Sequence, residues 1–98
     1  MITKQDILDK LKLLKDRYLD EGVEIYALFG SYATEKQDNF SDIDLAYKIN
    51  HEIFSKKYKD GFSKLLRLQN IKEELESFFG KNIDFVPYKE SFKECEYV

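Results

Sequence analysis

Between residues 4 and 20, Ile7, Leu8, Leu11, Leu14 and Tyr18 recur at three- and four-residue steps among Lys and Asp positions. This spacing predicts an amphipathic helix with a solvated charged face. Thr3 stands where its N-cap belongs, with Asp6 three positions on as a capping partner, and Gly22 supplies the stop. The period then breaks: "VEIYALFG", residues 23 to 30, is rich in β-branched and aromatic residues and predicts a largely buried strand that turns at Gly30. "YATEKQ" holds enough helix formers for a short helix before a loop at 38–40.

Residues 41 to 49 alternate, with Ile43, Leu45, Tyr47 and Ile49 facing one way and Asp42, Asp44, Ala46 and Lys48 the other, as a second strand requires. Residues 50 to 61 are polar and basic and read as a connection with some helix. Leu65, Leu68, Ile71, Leu75 and Phe78 then predict a second long helix over 62–79, closed by Gly80, with Glu73, Glu74 and Glu76 on its wet side. "KNIDFVPY" predicts a third short strand, Ile83 and Phe85 on one side and Asp84 and Val86 on the other, ended by Pro87. Residues 88–98 are open between an edge element and a tail.

Composition narrows the class of protein. A length of 98 residues is expected to form one domain, 1–98, leaving no room for a second substrate-binding domain. Eight Phe and seven Tyr, with no Trp, supply bulk for a small core. A net charge of −3 gives no footprint for a nucleic-acid coat. The single Cys95 forms no internal disulfide, and no Cys or His cluster has zinc-ligand spacing, which suits a reducing, cytoplasmic setting. The N-terminus lacks the apolar centre of a signal peptide, and nothing approaches the ~20 apolar residues of a membrane span, so a soluble protein is expected.

The candidate chemistry lies in "GSYATEKQDNFSDID", residues 30 to 44. Asp42 and Asp44, two apart on a strand, project the same way with Cα atoms roughly 6 to 7 Å apart at a rise of ~3.3 Å per residue. Like charges so held raise one pKa or need a cation, and hard oxygen ligands suit Mg²⁺. Alone, such a pair more often solvates an edge strand. Gly30 permits close backbone approach, and a helix starting at Ser31 offers N–H groups to a phosphate, although a Gly-Ser pair by itself is a weak signal. Asp84 supplies a third carboxylate on another strand; its plain alternative is a strand-end aspartate paired with Lys81 or Lys89. His51 reads as a surface loop residue, Ser41 as ordering the turn before Asp42, Tyr32 and Phe40 as core or rim packing, and Lys56, Lys57 and Lys59 as a solvated charge run.

Taken together, Gly30, Ser31 and Ala33, then Ser41, Asp42, Ile43, Asp44 and Leu45, with Asp84 on a later strand, form a pattern that resembles the nucleotidyltransferase superfamily related to DNA polymerase beta. The resemblance spans nearly the whole chain and is to the small stand-alone members, the minimal nucleotidyltransferases. It implies an α+β fold, a small mixed sheet of three to four strands with helices packed on it. By the family mechanism, Asp42 and Asp44 would hold two Mg²⁺ ions against the triphosphate of ATP, Gly30 and Ser31 would grip its outer phosphates, and Asp84 would ligate the catalytic metal and accept a proton from the attacking hydroxyl.

The resemblance further implies transfer of AMP to a hydroxyl, a tyrosine, of a partner HEPN-domain toxin, with this chain as its cytoplasmic antitoxin. No direct nucleic-acid or membrane partner is expected. Family members commonly carry a basic residue where this chain has Thr34 and Gly where it has Glu35. Those departures motivate an alternative, a catalytically weak or inactive module of the same fold that neutralises a partner by binding. Transfer to a small molecule is a third reading, disfavoured by the missing second domain.

Overall fold

The computed structural model describes residues 2–38, 40–92 and 94–98; Asn39 of the expected 38–40 loop and Lys93 of the open 88–98 segment lie outside it. The first helix, α1 (Lys4–Leu19), begins at the predicted cap: Thr3 Oγ1 accepts from the Asp6 N–H, and the Thr3 N–H donates to Asp6 Oδ2 at 3.0 Å. Ile7, Leu8, Leu11, Leu14 and Tyr18 are all buried, as the period required. Each large apolar side chain so removed from water contributes roughly 1.5 to 3 kcal/mol.

After a turn at Gly22, β1 (Val23–Phe29) runs into one helical turn, α2 (Gly30–Ala33). That turn starts earlier and is shorter than the helix expected from residues 32–37. The chain returns as β2 (Ile43–Ile49), continues through α3 (His51–Lys57) and α4 (Gly61–Phe79), and comes back as β3 (Ile83–Pro87). Asn50 caps α3, its side chain accepting from the Ile53 N–H, so the basic stretch becomes helix and His51 opens that helix instead of lying in a loop. The open C-terminal segment provides an edge element, β4 (Glu96–Tyr97), antiparallel to β1.

The sheet order is β3-β2-β1-β4, with β1 antiparallel to β2 and β2 parallel to β3. This is the expected α+β arrangement with a small mixed sheet. Ile43, Leu45 and Tyr47 join Ile25, Leu28, Ile71, Leu75 and the α1 stripe in one apolar core. The helices therefore cover that face of the sheet, and the alternate positions of β2 face the other way.

Two expectations about α4 change. Leu65 and Phe78, expected in its buried stripe, are 70% and 46% exposed, while only Ile71 and Leu75 are fully buried. A helix of this length spans about 28 Å at ~1.5 Å per residue, and only its middle, at Ile71 and Leu75, is fully buried. Periodicity reports which residues share a face but not how far along the helix that face is covered.

The glutamates of α4 are also more than a wet side. Glu74 accepts from the Tyr18 hydroxyl and from Arg67 Nη1, both at 2.9 Å, and Glu76 accepts from the Ile83 N–H at the start of β3. Arg67 holds Glu21 through two bonds of 2.8 and 2.7 Å, joining α4 to the end of α1. The guanidinium first of all, and the Tyr58 hydroxyl after it, keep the Glu21 carboxyl below the ordinary range despite burial.

Candidate active site

Strand register decides which of the candidate residues meet. Asp44 on β2 lies opposite Asp84 on the parallel neighbour β3 and opposite Phe29 on the antiparallel neighbour β1. Directly opposed residues share a face of the sheet, so Asp44, Asp84 and Phe29 all stand on the face turned away from the helices. The two carboxyls interact directly. Burial first, then a hydrogen bond with Asp84 and the negative charges of Asp84 and Asp42, push the Asp44 carboxyl up to about 6.

Gly30 completes the pair's surroundings. Its φ is +75°, in the left-handed region, and a Cβ placed there would collide with Asp44 Oδ2. Glycine is needed twice over, for the turn out of β1 and for the space that the Asp44 carboxylate occupies. Ser31 follows directly as the second residue of α2, half-buried beside the same turn. Thr34 donates from Oγ1 to the carbonyls of Gly30 and Ser31, both at 3.3 Å, and so ties the turn together.

Asp42 occupies a different setting. It precedes β2 instead of lying within it, is exposed, and lines a cleft of about 660 Å³ together with Phe40, Ser41, Glu76, Lys81 and Asn82. It still acts on Asp44 through its charge. Among the described residues, no three His, Cys, Asp or Glu side chains are gathered as a ready-made metal cluster. The structure thus brings Gly30, Asp44 and Asp84 together, sets Ser31 beside them, and leaves Asp42 at the margin.

Other candidates fall into place around this centre. Ser41 Oγ accepts from the Asp38 N–H at 3.0 Å, ordering the turn before Asp42 as expected. Tyr32 is fully buried, a core residue, whereas Phe40 is 93% exposed at the rim of the Asp42 cleft. Lys56 pairs with Glu52 on the exposed side of α3. Glu35 has a φ of 60°, a conformation that favours glycine.

Sequence reasoning missed the aromatic wall beside the carboxylates. A bulge at Tyr26 shifts the register of β1 between Ile25 and Ala27, so that Leu28 turns into the core and Phe29 turns onto the Asp44 face. Phe29 stacks on Phe92, ring centroids 4.7 Å apart and planes 22° from parallel, and Phe92 meets Tyr88 edge-on. The only sequence signal was the aromatic residue just before Gly30.

Comparison with known proteins bears directly on this arrangement. A model of the family described as polymerase beta, nucleotidyltransferase matches residues 9–97. The chain belongs to that family. It is 37% identical over 70 residues to a protein of Methanocaldococcus jannaschii named "putative protein adenylyltransferase", covering 71% of this chain and 64% of that relative. The chain thus spans somewhat under two thirds of that relative's length. No solved structure matches significantly.

For a nucleotidyltransferase, the donor set on the sheet suits a hard divalent cation. Asp44 and Asp84 offer carboxylate oxygens on neighbouring strands, and the Asp44 carboxyl, raised first by burial and then by Asp84 and Asp42, carries a charge that a bound cation would stabilise. Asp42 stands within electrostatic reach to contribute from the strand's entrance. No helix among the described residues is long and apolar enough to cross a membrane.

Proposed function

We propose that this nucleotidyltransferase transfers AMP from ATP to a hydroxyl of a partner protein. The observation that carries the reading is the Asp44–Asp84 register pair set against Gly30, where β1 turns into the Gly30-Ser31 start of α2. Gly30 and Ser31 would receive the outer phosphates, and Asp42, Asp44 and Asp84 would hold Mg²⁺, two ions in the full arrangement. Bound Mg²⁺ would neutralise the triphosphate and the departing pyrophosphate.

The chain's own groups account for the remaining steps. Asp84, on edge strand β3, takes the proton of the acceptor hydroxyl. The acceptor oxygen bonds to the α-phosphorus, the bond from that phosphorus to the bridging oxygen breaks, and pyrophosphate leaves with the electron pair. Asp84 is exposed on that edge strand, which leaves an acceptor room to approach from the β3 side. The named relative's protein adenylyltransferase label supports a protein acceptor. A tyrosine of a HEPN-domain toxin, with this chain as its antitoxin in the cytoplasm, is the acceptor and role proposed here.

Incubation with α-labelled ATP, Mg²⁺ and the product of the neighbouring gene tests the reading. Label should appear on the partner with wild type and disappear with Asp44→Ala and Asp84→Ala; absence of label with wild type would sink it. A second reading, neutralisation by binding alone, is favoured by the marginal placement of Asp42 and by Glu35 beside the phosphate turn. It would show as neutralisation that survives in an Asp42→Ala/Asp44→Ala variant without nucleotide.

A further inference from the structure

We infer that the Phe29–Phe92 stack is the nucleobase platform of this site. This rests on the proposed use of ATP. The stack lies on the carboxylate face of the sheet, beside the turn to which that reading assigns the phosphates. Phe29 directly precedes the Gly30 turn and is the cross-strand partner of Asp44, on the same face of the sheet. Phe29 is only half-buried, as is Phe92, so the stacked pair is partly accessible on the face that bears the carboxylates.

The position of Phe92 is fixed by the segment that carries it. The Phe92 N–H donates to the Lys89 carbonyl at 3.0 Å, and the Tyr88 N–H donates to the Tyr47 carbonyl at 2.8 Å, anchoring the segment beyond β3. Tyr88 packs edge-on against both Phe92 and Tyr26, and farther along β4 pairs with β1. Residues 88–92 are thereby held over the face that bears Asp44 instead of trailing away. The wall lies over β1, whereas the Asp42 cleft adjoins the starts of β2 and β3. A nucleotide with its phosphates at Gly30-Ser31 could extend its base onto the wall and leave the β3 side open to an acceptor.

Stacking recognises any planar base by its π-face, with little reading of its edges. The platform therefore distinguishes a nucleotide from a bare polyphosphate more than it distinguishes one base from another.

Calorimetric titration of the full chain in Mg²⁺ with ATP and, separately, with inorganic tripolyphosphate tests this. Wild type should bind ATP about tenfold tighter than tripolyphosphate. Phe92→Leu, which keeps an apolar side chain over Phe29, should remove most of that gap by weakening ATP alone, and Phe92→Tyr should retain it. Unchanged circular dichroism would show that the folds are intact. A gap that persists in Phe92→Leu, equal weakening of both ligands, or no gap in wild type would overturn the platform while leaving phosphate binding in place. Failure of wild type to bind either ligand would instead remove the nucleotide reading, and the platform with it.

Discussion

Replacing Asp44 by Asn removes one ionisable group from the carboxylate pair while keeping its shape, so the space against Gly30 stays filled. In the folded chain the Asp44 carboxyl is pushed from 3.8 up to about 6, first by burial and then by Asp84 and Asp42. A carboxyl that binds its proton more tightly when folded leaves stability intact below about pH 3.8 and erodes it as pH rises towards 6. At about 1.36 kcal/mol per unit the full shift would cost near 3 kcal/mol. The side chain is half-exposed, so screening reduces this to about 1 to 2 kcal/mol at pH 7.5.

Asp44→Asn should therefore be more stable than wild type by that amount at pH 7.5 in chelator. This corresponds to a Tm higher by roughly 5 to 15 °C for a domain of this size. At pH 4 the gap should shrink to about 0.5 kcal/mol or less, because Asp44 is then largely protonated in the folded chain. Thermal unfolding followed by far-ultraviolet circular dichroism at the two pH values reads both numbers. An Asn variant no more stable than wild type at pH 7.5, or an equal gap at both pH values, would refute the argument that burial beside Asp84 and Asp42 makes the charged form of Asp44 costly.

Further substitutions probe the surroundings. Gly30→Ala should displace the Asp44 carboxylate and strain the turn, lowering stability by about 1 to 3 kcal/mol and abolishing AMP transfer in the labelling assay; retained transfer would contradict the double need for glycine. Glu35→Gly should stabilise by about 1 kcal/mol by relieving its positive φ, seen as a higher urea midpoint with an unchanged slope, whereas a lower midpoint would show that Glu35 makes a compensating contact. Arg67→Met should cost about 2 to 3 kcal/mol in urea denaturation, since Glu21 would lose its bidentate partner and Glu74 one of its donors; a loss under 0.5 kcal/mol would mean that water replaces the guanidinium freely.

Local signals account for what was legible beforehand. The α1 stripe from Ile7 to Tyr18, the Thr3 cap and the apolar face of β2 at Ile43, Leu45 and Tyr47 are properties of near neighbours, and each is present in the fold. The aspartate spacing and the Gly30 turn were likewise readable, because period and glycine placement are written in consecutive residues. Less local features were not. Asp42 shares its predicted direction with Asp44, yet it falls one residue before the strand begins, and only the loop and cleft around it decide its exposure.

The sequence by itself determined the type and order of α1, β1, β2, α4 and β3, the apolar face of β2 and the identity of the acidic residues, and the periods of two or about 3.6 residues carry the first two. Tertiary structure decided everything that depends on one element meeting another. Parallel pairing put Asp84 opposite Asp44, a bulge at Tyr26 turned Phe29 onto their face, and the small sheet left Leu65 and Phe78 of α4 exposed. Register and coverage are settled by competition among contacts distant along the chain, which no local window records.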